Sequence, residues 1–129
     1  MAMRAARLAH SGVLSGDPLV IDDHLATVIL HSDPELIGEL AAKTLAPLHT
    51  VRAGTAQRLA ETLLWWLALR GERRRVAQAL HVHPQTVSYR VGRLRELFGT
   101  TLDDPDQRFQ LEMALRADRD RQWPTALLQ

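Results

Sequence analysis

The segment Arg73-Arg74-Arg75-Val76-Ala77-Gln78-Ala79-Leu80-His81-Val82-His83-Pro84-Gln85-Thr86-Val87-Ser88-Tyr89-Arg90-Val91 constrains the fold more than any other part of the chain. Apolar residues recur at helical spacing on both sides of a break at 81–83. The pattern is two short helices, about 73–80 and 84–98, joined by a tight turn. Two helices that cross steeply need a small residue where they touch and apolar residues on the facing sides. Ala77 supplies the first; Val76, Leu80 and Val82 supply the second. Pro84 suits the first turn of the second helix, where its missing N–H costs nothing, and Gly99 is placed to cap the far end. His81 stands where such a turn calls for a positive φ, which His tolerates better than a β-branched residue does.

Helical phase divides the second helix into faces. Val87, Val91, Leu94 and Phe98 fall at i, i+4, i+7 and i+11 and make one buried stripe. Gln85, Tyr89, Gly92, Arg93 and Glu96 fall opposite, with Thr86, Ser88 and Arg90 at the flanks. A polar, basic outward face on the second of two linked helices is the pattern of a helix-turn-helix that lays that helix in the major groove of double-stranded DNA. The N-terminal half of such a helix meets base edges, which selects Gln85, Ser88 and Tyr89 as base contacts. Thr86, Arg90, Arg93 and the run Arg73-Arg74-Arg75 are then the phosphate contacts. Gly92, on an exposed helical face, costs about 1 kcal/mol relative to Ala.

The charge distribution points the same way. Net charge is only +1, but seven arginines against Glu72 give the window 70–95 a charge of +6, leaving −5 for the rest. A basic patch on an acidic body is the electrostatic footprint of a nucleic-acid face. With 46% hydrophobic residues in 129, the chain has enough apolar side chains for a real core. It has no cysteine, which excludes disulfides and thiolate zinc sites and fits a reducing cytoplasm. The longest apolar run, Leu63 to Leu69, is too short to span a bilayer, and residues 1–10 lack the apolar stretch of a signal peptide. The expected location is cytoplasmic.

Elsewhere the helical period persists and no strand period appears, so the expected class is all-α, with about five to six helices. Residues 1–10 read as a short helix and 11–18 as a loop broken by two glycines and Pro18. A helix runs from Asp22 or Asp23 to about His31. Asp33 then N-caps a helix with Pro34 and Glu35 in its first turn, ending at Pro47. The next is expected over Thr55–Arg70 with Gly71 as a left-handed cap. Leu59, Leu63, Trp66 and Leu67 share one face, and Leu64 and Trp65 widen it, marking a central helix. Asp104 N-caps a last helix expected to bury Phe109, Leu111, Met113 and Leu115. The organisation expected is a remnant or linker at 1–20, a helical segment at 21–52, the DNA-binding domain at 53–120 and a tail at 121–129.

Other chemistry finds little footing. His81 and His83 are two apart on a turn and point away from each other, and His24, His31 and His49 keep no ligand spacing, so no metal is expected. Asp103-Asp104-Pro105-Asp106 lacks the glycine and terminal glutamate of a calcium loop and reads as a helix cap. No nucleophile–base pair or paired carboxylate stands out, so neither an enzyme nor a cofactor is expected. The alternative is a helical protein-interaction or dimerisation module that docks through the Trp65-Trp66 helix.

The segment from Val82 through Gly99 also resembles the C-terminal helix-turn-helix of PucR/CdaR-type transcriptional regulators. The resemblance is carried by Val82, His83, Thr86, Val87, Tyr89, Arg90, Val91, Arg93, Leu94 and Gly99. It extends through Leu102-Asp103-Asp104-Pro105, Arg108, Leu111 and Ala114-Leu115, and upstream to Leu59, Thr62-Leu63 and Leu67. Val91 matches in kind but, like Gly92, stands where bulkier or longer residues are usual. The resemblance implies that His83 serves as a cap or phosphate contact. It also implies a homodimer, since the unit is similar to the Fis-type helix-turn-helix. In that family an upstream region senses a signal. The chain is then expected to be a C-terminal piece of such a regulator or an unusually short member, with any small-molecule effector bound elsewhere.

Overall fold

The computed structural model describes residues 25–128, with side chains through residue 120. The expected helix at 1–10, the loop at 11–18 and the start of the helix after Asp22 lie outside the described residues. Six α-helices follow: α1 (Leu25–Leu30), α2 (Pro34–Thr44), α3 (Ala53–Ala68), α4 (Arg73–Leu80), α5 (Pro84–Phe98) and α6 (Pro105–Leu128). Single 3-10 turns at Ala46–Thr50 and Gly99–Asp103 join α2 to α3 and α5 to α6. No strand occurs among the described residues, so the fold is all-α.

The boundaries follow from capping chemistry. Asp33 accepts a 3.0 Å hydrogen bond from the Leu36 N–H, satisfying one orphan donor of α2. Asp104 does the same for α6 through the Gln107 N–H, at 3.1 Å. Two expected boundaries shift. Pro47 does not stop α2, which ends at Thr44; it enters the first turn of the 3-10 segment, where no N–H is needed. Helix α3 begins at Ala53 and ends at Ala68, two residues earlier at each end than expected. At its C-terminus Arg70 (φ 55°) joins Gly71 (φ 77°) in the left-handed region. The Gly71 N–H bonds the Trp66 carbonyl at 2.8 Å, and this wide closure draws both residues out of the helix.

Helix α3 is the central element, as its wide apolar arc requires. Leu59, Leu63, Leu64 and Leu67 are buried, and the helix packs on α5 and α6. The main core joins them to Ala41, Leu45 and Leu48 from the α2 region, Leu94 and Phe98 from α5, and Leu111, Ala114 and Leu115 from α6. The segment around α2 therefore shares its core with α3, α5 and α6. A smaller cluster of Val76, Ala77 and Val87 locks α4 to α5.

Helix α6 buries a different set from the one expected. Leu111, Ala114, Leu115 and Ala117 are inside, Met113 is half-buried, and Phe109 is 65% exposed. Residues 109, 111, 113 and 115 alternate, so one helical face cannot hold all four. The small, fully buried Ala114 and Ala117 let α6 pack closely on its neighbours α2 and α3 and share the phase of Leu111 and Leu115. Phe109 lines a cavity with Ile29 of α1, and Ile29 lines the next one with Leu36 of α2; all three are at least 60% exposed among the described residues.

Candidate nucleic-acid interface

The turn between α4 and α5 is built as its residues dictate. His81 adopts φ 56° and ψ 44°, left-handed as expected. The Val82 N–H then reaches back to the Ala77 carbonyl at 3.0 Å and closes the end of α4. Ala77, 2% exposed, is the close contact between the helices, and Val76 is fully buried behind it. His83 caps α5: its Nδ1 accepts from the Gln85 N–H at 3.0 Å. That bond requires an unprotonated Nδ1, so the neutral ring carries its hydrogen on Nε2, away from the helix. Pro84 follows in the first turn and Gly99, at φ 59°, ends the helix.

Val87, Leu94 and Phe98 are buried, and Val91 is half-buried at the edge of the smaller cluster. Rotation by half a turn brings out the opposite face. Gln85, Ser88, Tyr89 and Gly92 are exposed, Tyr89 at 70%. Thr86 is half-buried on the flank. All three arginines at the start of α4 are exposed. Arg73 Nη1 donates to Ser88 Oγ at 3.0 Å, joining the basic run to the outward face of α5. With one lone pair of Ser88 so occupied, its O–H is free to donate outward. A shallow groove beside this bond is lined by Arg73, Ser88, Gly92 and Arg95.

The electrostatics of this face are unbalanced. Three arginines occupy the first turn of α4, the positive end of its dipole, and Glu72 makes no side-chain cap bond there. Such an arrangement favours an anion. The ion pairs nearby are weak restraints: Arg75–Glu72 at 3.3 Å and Arg93–Glu96 at 2.7 Å are solvent-exposed neighbours on their own helices. Arg93 thus faces outward as expected, already holding a carboxylate that a phosphate can replace.

Arg90 and the Trp65-Trp66 pair sit away from the outward face of α5. Arg90 turns inward, its Nη1 donating to Thr62 Oγ1 of α3 at 3.3 Å, in a part-buried contact. The Trp65-Trp66 helix presents no exposed tryptophan face: both rings are half-buried against the α4–α5 cluster. Trp66 is covered by the guanidinium groups of Arg95 and Arg108, 5.6 and 5.2 Å from its ring centroid. Sequence reasoning assigned Arg95 no contact, and the sole signal for it was its place in the basic window. Among the described residues no three His, Cys, Asp or Glu side chains cluster as a metal site. His31 is paired instead with Asp120, Nε2 to Oδ2 at 3.0 Å, tying the end of α1 to α6.

Residues 59–117 match the family profile of the PucR C-terminal helix-turn-helix domain. They form a PucR-type helix-turn-helix domain. The chain is 34% identical over 114 residues to the "Uncharacterized protein in pkwA 5'region" of Thermomonospora curvata, covering 86% of this chain and 61% of that protein. It is 38% identical over 63 residues to the "Purine catabolism regulatory protein" of Bacillus subtilis (strain 168), covering 49% of this chain and 12% of that one. The chain thus spans less than two thirds of the length of either relative. No solved structure matches it at a significant level.

Within the PucR-type domain the residues that carry the likeness divide by physical task. Val87 and Leu94 are core, His83 and Gly99 are caps, Tyr89 and Arg93 face outward, and Arg90 binds Thr62.

Proposed function

We propose that the chain supplies the DNA-reading part of a transcription regulator, without enzymatic activity, and works as a homodimer in the cytoplasm with α5 in the major groove. The observation that carries this reading is the outward face of α5 beside the arginines of α4, linked to it by the Arg73–Ser88 bond. A major-groove helix needs an exposed polar face flanked by cations, and this pair has both. Gln85, Ser88 and Tyr89 meet base edges. Arg73, Arg74, Arg75, Thr86 and Arg93 meet phosphates, and His83 donates to a phosphate through Nε2 while Nδ1 holds the cap.

Dimerisation draws support from the apolar side chains Leu25, Ile29, Leu36 and Phe109, which stand exposed among the described residues. Helix α6 packs against α2 and α3, and α5 packs against α3 and α4. A second copy seated on this region leaves the outward face of α5 free.

The test is selection of bound duplexes from a random pool. Enrichment of a two-fold repeated half-site is expected. Failure to enrich any sequence, with binding no stronger than to bulk DNA, refutes the reading.

A further inference from the structure

We infer that Arg90 is a positioning residue, which fixes the roll of α5 through Thr62 and does not bind phosphate. The inference rests on the DNA-reading function proposed above and deepens it. Thr62 is fully buried in the middle of α3, so it touches no ligand directly. Its hydroxyl hydrogen is committed to the Arg58 carbonyl at 2.9 Å. One lone pair of Oγ1 is therefore turned outward, and the Arg90 guanidinium meets it at 3.3 Å. The contact joins residues 28 apart in sequence, across the packing of α3 on α5.

Apolar packing alone fixes the roll of α5 loosely, because methyl groups have no directional preference and Val91 is only half-buried. A hydrogen bond has direction. Side-chain tips stand about 6 Å from a helix axis, so a roll of about 10° displaces them by about 1 Å. That is enough to spoil a hydrogen bond to a base edge. Arg90 lies between Tyr89 and Val91, so a restraint there holds the outward face in register with the buried one. Among the arginines of the basic window, Arg73, Arg74 and Arg75 are exposed to solvent, whereas Arg90 is half-buried against α3.

Thr62 cannot reach DNA, so Thr62→Val acts on binding only through its neighbours, and agreement with Arg90→Met assigns that effect to Arg90. The experiment compares wild type with Thr62→Val, Thr62→Ser and Arg90→Met. Each binds a duplex selected by the wild type and a scrambled duplex of the same composition, across a salt series, after a circular-dichroism melt. Thr62→Val is expected to lose about tenfold on the selected duplex, comparable to one base contact, and nothing on the scrambled one. Thr62→Ser, which keeps the hydroxyl, retains binding. Arg90→Met matches Thr62→Val and leaves the salt slope unchanged.

A slope shallower by about 0.9 in Arg90→Met makes it a phosphate contact and overturns the inference. Lower melting temperatures with unchanged affinities make the pair merely structural and overturn it too. If Thr62→Val fails to fold, Arg90→Met, altered at a half-buried position, decides alone. Absence of any wild-type binding removes the DNA reading and this inference with it; wild-type binding to which Thr62→Val is indifferent removes the inference alone.

Discussion

Replacing Arg73, Arg74 and Arg75 together by alanine separates binding from folding. All three side chains are exposed, and they crowd like charges at the positive end of α4. Alanine is the better helix former there, so the melting temperature is expected not to fall. Binding responds in the opposite sense. Each phosphate contact contributes about 0.9 to the slope of log K against log salt, so raising salt from about 50 to about 200 mM costs about 3.5-fold per contact. Three contacts make about 40-fold. Arg75 is shared with Glu72 at 3.3 Å and Arg73 with Ser88 at 3.0 Å, so the full value requires both to exchange partners. The variant should show a slope shallower by about 2 to 3 in a fluorescence-anisotropy titration of labelled duplex across that range. An unchanged slope refutes the claim that α4 presents these arginines to the DNA backbone.

Three further outcomes are expected. His81→Val should destabilise by about 1–2 kcal/mol more than His81→Gly in denaturant unfolding, because φ 56° strains a β-branched residue and not glycine; equal stabilities refute the left-handed turn. Leu94→Ala, at a fully buried position, should cost about 2–5 kcal/mol, whereas Phe109→Ala, at 65% exposure, should cost less than about 1 kcal/mol in the monomer; a large loss at Phe109 contradicts the phase of α6. Ile29→Glu with Phe109→Glu should leave the circular-dichroism spectrum intact and yield monomers in sedimentation equilibrium. A variant that remains dimeric places the interface elsewhere.

The helix pair was legible because its signals are local. Pro84, Gly99 and the Val87–Leu94–Phe98 stripe define α5 within its own span, and the left-handed His81 follows from what a tight turn needs. Asp33 and Asp104 announced their caps for the same reason. Phe109 misled because the alternating apolar residues of α6 fit two helical phases equally. The deciding residues, Ala114 and Ala117, carry little hydropathy and act by being small enough to bury against the neighbouring helices. The contacts of Arg90 and Trp66 were not legible because their partners are remote in sequence. Nothing local to Arg90 announces Thr62 beneath it, and nothing local to the tryptophan pair announces Arg95 and Arg108 over one ring.

Gly92 leaves a vacancy on the outward face: a Cβ built there meets nothing within 4 Å. A methyl group fits at that position, and Gly92→Ala should strengthen the helix by up to about 1 kcal/mol. The buried stripe half a turn away is untouched by such a change. Related chains can therefore diverge at this position in what they recognise while the scaffold beneath stays the same, and a designer wishing to retarget the domain has a site where new contacts can be written without repacking the core.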